Sequence, residues 1–357
     1  MEDFDNYGVT ERYRNEATLY PELQLARVIA QFQGSYKVMT ESGEKRAQIS
    51  GKFRHETTEL AKFPAVGDYV MITENNSNDV GMIQHVLTRK SVFLRSAVGV
   101  RNQAQVVAAN IDTLFICMSV NSNYNLNRLE RYLAIAWDSG AVPVIVLTKI
   151  DLCSDLAQIL LEVETVSNFS DIITTTIEEE NLSKFAPYIK HGKTVAFIGS
   201  SGVGKSTLIN QLLGEDRLTT QNLGRDDKGK HTTTGRELFA APLGGAMIDT
   251  PGMRELGLQQ ADIEKSFEDI EELAKHCRFS DCTHTTEPGC AIQQAMTNGL
   301  LEQRRVNNYL KLKNELGYEG LNSKQIEHQK LERMFKEVGG MKKAKKFVAE
   351  KRHVKYK

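Results

Sequence analysis

The sequence predicts a multi-domain fold: an N-terminal β-barrel, a central α/β domain and a C-terminal helical module closed around a metal. Three observations carry that expectation. Five short strands crowd into residues 21–96; a strand, a Gly-rich loop and a helix follow one another across 195–213; and three cysteines with one histidine fall within residues 277–290. At 357 residues, with 40% hydrophobic and 25% charged residues, the chain can bury two or three separate cores. The expected division is an arm at 1–20, the barrel at 21–96, the α/β domain at 97–260, the metal module at 261–320 and a basic tail at 321–357.

The barrel is read from strands at 25–32, 36–40, 47–53, 68–73 and 81–87, separated by turns at Gly34, Ser42-Gly43, Pro64, Gly67 and Asn75-Asn76-Ser77-Asn78. Five short strands with such punctuation suit a small closed barrel of the OB type, an architecture that often binds nucleic acid. Arg89, Lys90, Arg95 and Arg101 add positive charge at its exit. A barrel that only packs against the next domain is the alternative.

In the α/β domain, an apolar run at 195–198 leads into Gly199-Ser200-Ser201-Gly202-Val203-Gly204-Lys205-Ser206, and Thr207 opens a helix to residue 213. Glycines let successive backbone N–H groups approach phosphates, the helix start adds positive potential, Lys205 reaches the outer phosphates and Ser206 ligates magnesium. About forty residues further on, Asp249-Thr250-Pro251-Gly252 follows a second apolar run. Asp249 is placed to hold a magnesium-bound water, and the Gly252 N–H to contact the terminal phosphate. Between them, Gly229-Lys230-His231-Thr232-Thr233-Thr234 has the composition of a switch, with Thr233 assigned to complete the magnesium shell. Taken alone, it also reads as a Thr-rich loop entering a strand.

Base choice rests on Thr148-Lys149-Ile150-Asp151, which follows the buried-strand pattern at 142–147. A carboxylate accepts two hydrogen bonds from guanine N1–H and the 2-amino group, and adenine offers neither donor there. Asp151 therefore selects GTP over ATP, while the aliphatic stem of Lys149 covers the base plane. Thr148 stands where Asn is usual and keeps only a hydroxyl to brace the loop. Thr174 to Thr176 occupy the place of a further base-contacting turn, with a poor match.

This base motif precedes the phosphate loop, the reverse of the usual order in nucleotide-binding G proteins. The pieces form an ordinary G domain with its ends moved: a strand at 113–120, a helix at 128–139, the base-reading strand, a helix at 156–167, a short strand, the phosphate-loop unit, and two strands within 236–248. Chain ends lying close together at a domain surface make circular permutation inexpensive. The expected class is thus a circularly permuted P-loop G domain.

Cys277, Cys282, His284 and Cys290 supply three thiolates and an imidazole, a closed tetrahedral zinc set that is structural rather than catalytic. His276 is a nearby substitute, and Cys117 and Cys153 read as small core residues. No long apolar span or secretory pattern occurs, so we expect a cytoplasmic protein outside the membrane, acting as a monomer. The formal net charge of -1 hides a tail, 341–357, in which eight Lys and Arg face the single acid Glu350. Such a tail attracts a polyanion or simply solubilises the chain.

Together, the barrel, the permuted G domain, the switch at His231 to Thr234, Asp249 to Gly252 and the zinc set resemble the RsgA family of bacterial GTPases that act in small ribosomal subunit biogenesis, over residues 21–316. The resemblance implies GTP hydrolysis with GTP/GDP and magnesium, stimulation by the small subunit, and binding of its ribosomal RNA. It also implies that His231 orients the attacking water, because Met253 stands where many GTPases carry a Gln. The rival readings are an RNA-binding scaffold gated by nucleotide, with incidental hydrolysis, and a P-loop ATPase or kinase.

Overall fold

The computed structural model describes residues 4–73, 80–96, 104–167, 169–176, 182–218, 236–249 and 263–317, with Gln325 and His328. In chain order the elements are α1 (Glu11–Ala17), β1 (Gln24–Phe32), β2 (Ser35–Thr40), β3 (Gly43–Ile49), α2 (Gly51–Glu56), β4 (Tyr69–Thr73), β5 (Val80–Val86), β6 (Val92–Ser96), β7 (Ala104–Ala109) and β8 (Thr113–Ser119). Then come α3 (Leu126–Ser139), β9 (Val142–Thr148), α4 (Leu156–Glu164), β10 (Asp171–Thr175), α5 (Leu182–Phe185), β11 (Thr194–Gly199), α6 (Lys205–Leu213), β12 (Glu237–Ala240) and β13 (Ala246–Asp249). Helices α7 (Ile263–Ser266), α8 (Glu268–Ala274), α9 (Ala291–Thr297) and α10 (Gln303–Leu316) follow.

The first five strands close on themselves in the order β1-β2-β3-β5-β4, with β4 returning to β1. Closure leaves no free barrel edge, and the inside is filled by Ala26, Val28, Tyr36, Val38, Ala47, Val70, Ile72 and Ile83. One expected strand is corrected. The strand predicted at 47–53 runs instead from Gly43 to Ile49, because the Ser50 side chain accepts a hydrogen bond from Phe53 N at 3.1 Å and starts α2. Another correction concerns charge: Arg89 donates to the fully buried Asp68 carboxylate twice at 2.7 Å, and Lys90 pairs with Asp112 at 2.6 Å. Both cations are structural. Burial pushes the Asp68 carboxyl up, with the Arg89 hydrogen bonds pulling it back down.

Six strands build the α/β sheet in the order β10-β9-β8-β11-β13-β12, all parallel except β12. Alternate residues of β8 face opposite layers: Leu114, Ile116 and Met118 on one side, Phe115 and Cys117 on the other. From β8 the chain progresses outward through β9 to β10, and from β11 outward through β13. The strand order therefore reverses between β8 and β11, and in open α/β sheets ligands bind at such a point, beyond the carboxyl ends of the strands. Barrel and α/β sheet are continuous through β1 and β12, at Ala30 opposite Glu237.

Two features were not foreseen. Residues expected as a simple arm wedge between barrel and sheet, with Phe4, Tyr7, Val9 and Tyr13 buried. Tyr13 stacks on Tyr69 at 3.7 Å and donates to Asn110 Oδ1 at 2.9 Å, while the fully buried Arg27 bonds the Tyr7 carbonyl and Thr194 Oγ1. In addition, β6 and β7 form their own antiparallel pair across the expected junction at 96/97. The helix expected to reach 167 ends at Glu164, and α3 starts earlier than 128, capped by Asn125.

Candidate functional site

Strand ends bring the site together. Gly199 closes β11, Thr148 closes β9 and Asp249 closes β13, all at the carboxyl edge of the parallel sheet. Gly199 faces Cys117 of β8 so closely that a Cβ would lie 2.5 Å from the Cys117 carbonyl oxygen. Beyond it, Gly202 and Gly204 take left-handed backbone conformations at φ +75° and +90°, with open space where a Cβ would point. The loop then enters α6 at Lys205, followed by Ser206 and Thr207.

The base motif grips this loop directly. Thr148 Oγ1 donates to the Val203 carbonyl at 2.6 Å from a buried position, so the hydroxyl that replaces the usual Asn does brace the loop. Lys149, itself at φ +58°, lays its side chain over the loop and donates to the Gly202 carbonyl at 2.6 Å. Asp151 follows, exposed, in the short turn Ile150–Leu152. Thr175 sits opposite Thr148 in the β10–β9 ladder, which brings the end of β10 alongside the same motif.

Asp249 tests whether a hydrated cation fits. Its Oδ1 is buried, has no hydrogen-bond partner among the described residues and lies 3.6 Å from Lys205 Nζ. A buried carboxylate oxygen without a donor is costly, and a magnesium-bound water donating to it would remove that cost. His231, Thr233 and Gly252 lie outside the described residues.

The cysteine cluster forms a second centre. The ligand atoms of Cys277, Cys282, His284 and Cys290 all lie within 4.8 Å of one another. His284 Nδ1 is 3.6 Å from Cys277 Sγ and 3.7 Å from Cys290 Sγ, and the two sulfurs are 3.9 Å apart. Tetrahedral zinc with Zn–S bonds of about 2.3 Å requires sulfur–sulfur separations of about 3.8 Å. Burial, then the charge of Lys313, holds the His284 imidazole below its usual range, which leaves a neutral nitrogen for a metal. His276 is exposed and outside the cluster.

Sequence reasoning missed Asn123 and Arg128. Asn123 Nδ2 donates to Ser200 Oγ at 3.0 Å and to the Ser201 carbonyl at 3.3 Å, and Arg128 Nη2 donates to Asn123 Oδ1 at 2.9 Å. The only sequence signal is a run of asparagines after β8, and its relevance depends on knowing that β8 neighbours β11.

A phosphate loop and an acidic strand end, preceded in the chain by Thr148-Lys149-Ile150-Asp151 on the same sheet edge, define a circularly permuted GTPase. The RsgA GTPase family model matches residues 86–259. An ABC transporter model also matches residues 182–353, a span that includes the phosphate loop both groups of proteins use. The small ribosomal subunit biogenesis GTPase RsgA 2 of Lactiplantibacillus plantarum is 48% identical over 97% of this chain and 97% of its own. RsgA 1 of Oceanobacillus iheyensis is 43% identical over 86% of this chain and 89% of its own. Among solved structures, YloQ, described as a circularly permuted GTPase, aligns with TM-score 0.59 at 25% identity over 83% of this chain and 95% of its own. YjeQ from Thermotoga maritima aligns with TM-score 0.60 at 26% identity over 82% and 98%. The chain belongs to the RsgA family, and it is a GTP hydrolase that uses guanine nucleotide and magnesium.

Proposed function

We propose that this GTPase works on the small ribosomal subunit as a late maturation factor, binding its ribosomal RNA and coupling hydrolysis to release. The observation that carries the reading is the convergence of Thr148, Lys149, Gly199 to Ser206 and Asp249 on one sheet edge, in a chain whose relatives are named for subunit biogenesis. In this reading Asp151 reads the guanine edge, Lys149 covers the base, and Gly199 to Thr207 wrap the phosphates. Lys205 neutralises the outer phosphates, and Ser206, Thr233 and, through water, Asp249 hold the magnesium. Magnesium held by these residues would supply positive charge against the negative charge that develops on the phosphates. Gly252 senses the terminal phosphate.

Water attacks the γ-phosphorus as the bond to the β-phosphate oxygen breaks, giving GDP and phosphate. Met253 cannot orient that water, and His231 takes the task when the subunit is bound. Supporting RNA contact, Arg46, Lys52, Arg54 and His55 are exposed on the barrel strand β3 and helix α2. The tail at 341–357 adds positive charge from outside the described residues. A monomeric cytoplasmic protein is in keeping with this role; no helix among the described residues is long and apolar enough to cross a membrane.

The test is GTP turnover with and without purified small subunits. Completing a GTPase site in trans is worth about 10³ to 10⁵ in rate. His231→Ala is expected to keep GTP binding and lose the stimulated turnover; unchanged stimulation removes His231 from the mechanism.

A further inference from the structure

The connection from β8 to α3 enters the same crevice as the phosphate loop, because β8 and β11 are neighbours where the strand order reverses. Within it Asn123 spans the gap: Nδ2 reaches Ser200 Oγ and the Ser201 carbonyl, while Oδ1 accepts from Arg128. A guanidinium can only donate, so Arg128 dictates which end of the amide faces the loop. Arg128 is held in turn at the start of α3, where its backbone N–H donates to Asn125 Oδ1 at 2.9 Å.

The consequence follows from peptide geometry. In a trans peptide the carbonyl and the N–H of the next residue point in opposite directions. Three consecutive carbonyls, those of Ser201, Gly202 and Val203, are held from outside the loop by Asn123 Nδ2, Lys149 Nζ and Thr148 Oγ1. The other ends of those peptides, the N–H groups of Gly202, Val203 and Gly204, are thereby turned the other way. They have no acceptor among the described residues. Successive N–H groups aimed into one concavity form an anion site.

We infer that Asn123 is a positioning residue of the phosphate loop, orienting the Ser201–Gly202 peptide so that the Gly202 N–H faces the nucleotide phosphates. The base motif, at the end of β9, fixes two of the three peptides, and Asn123, after β8, fixes the third. This rests on the reading of the loop as the nucleotide site, and Asn123 itself touches no phosphate.

The experiment compares the full chain, Asn123→Ala and Asn123→Asp by titration with fluorescent GDP in magnesium, alongside thermal melting without nucleotide. Aspartate keeps the acceptor for Arg128 but sets a carboxylate against the Ser201 carbonyl. We expect alanine to weaken GDP about five- to tenfold, the scale of one lost hydrogen bond. Aspartate, the closer match in shape, should weaken it further, with the melting temperature of either variant little changed. Asn123→Asp binding as tightly as the unaltered chain would overturn the inference, as would losses of affinity that merely track lowered melting. Equal binding of GDP and ADP by the unaltered chain would instead strike the base assignment. The same ranking, read with ADP, would still decide the role of Asn123.

Discussion

Gly199 shows how far a single side chain can be constrained by a neighbouring strand. A methyl there meets the Cys117 carbonyl at 2.5 Å, and both residues are fixed by the β11–β8 ladder, so the strands must part to admit it. Gly199→Ala is expected to cost about 1–3 kcal/mol of stability. Chemical denaturation checks this, and an unchanged midpoint would mean the ladder yields more freely than its register implies. Legibility at this scale was uneven. Thr148, Lys149, Lys205 and Asp249 could be picked out because each sits in a motif of fixed spacing. Asn123 and Arg128 could not, because their importance arises from the β8–β11 adjacency, which brings Asn123 to Ser200 across 77 residues of sequence. Arg89 and Lys90 misled for the opposite reason: a basic pair looks solvated until the buried Asp68 and the half-buried Asp112 are found beside it.

At the scale of elements, α10 fastens the C-terminal module to the G domain. Arg305 is almost fully buried between Glu130 of α3, at 2.8 Å, and Asp269 of α8, at 2.7 Å, while Arg304 and Asn308 also donate to Glu130. Lys265 of α7 lies 3.7 Å over the Trp137 ring. Such pairs are worth most as determinants of one docking geometry, since removing one partner strands the other charge. The zinc set ties the segment after α8 to the start of α9 through Cys277 and Cys290. Metal capture contributes about 10 to 16 kcal/mol of apparent folding free energy in small modules. Cys290→Ser is therefore expected to reduce bound zinc from one per chain to near none and to lower the melting temperature; full zinc content by elemental mass spectrometry would rule out the four-ligand set. Helices and strands with strong periodicity were readable, as in β8, β9 and β11. The start of α2 was not, since Ser50 reads as one more polar strand residue until its side chain caps the helix.

Across the whole molecule, the permuted order places the phosphate-loop half of the G domain between barrel and zinc module in the chain. The barrel joins the sheet at β1 and β12, and residues 4–17 fill the angle between them. That wedge was not legible beforehand, because Phe4, Tyr7 and Tyr13 are too sparse to predict an element and gain meaning only against Tyr69 and Arg27. Tyr13→Ala removes a stacked ring and the hydrogen bond to Asn110, and is expected to cost about 3–5 kcal/mol. Wild-type stability of that variant in urea would show the wedge to be ornamental.

Activity depends above all on a guanine nucleotide seated between Asp151 and Lys205. Isothermal titration of the full chain in magnesium with GDP and with ADP tests it directly. The prediction is GDP bound at least about a hundredfold more tightly, the scale of two hydrogen bonds to a charged acceptor, and a preference largely erased in Asp151→Ala. Equal affinity for the two nucleotides, or an undiminished preference in that variant, would contradict it.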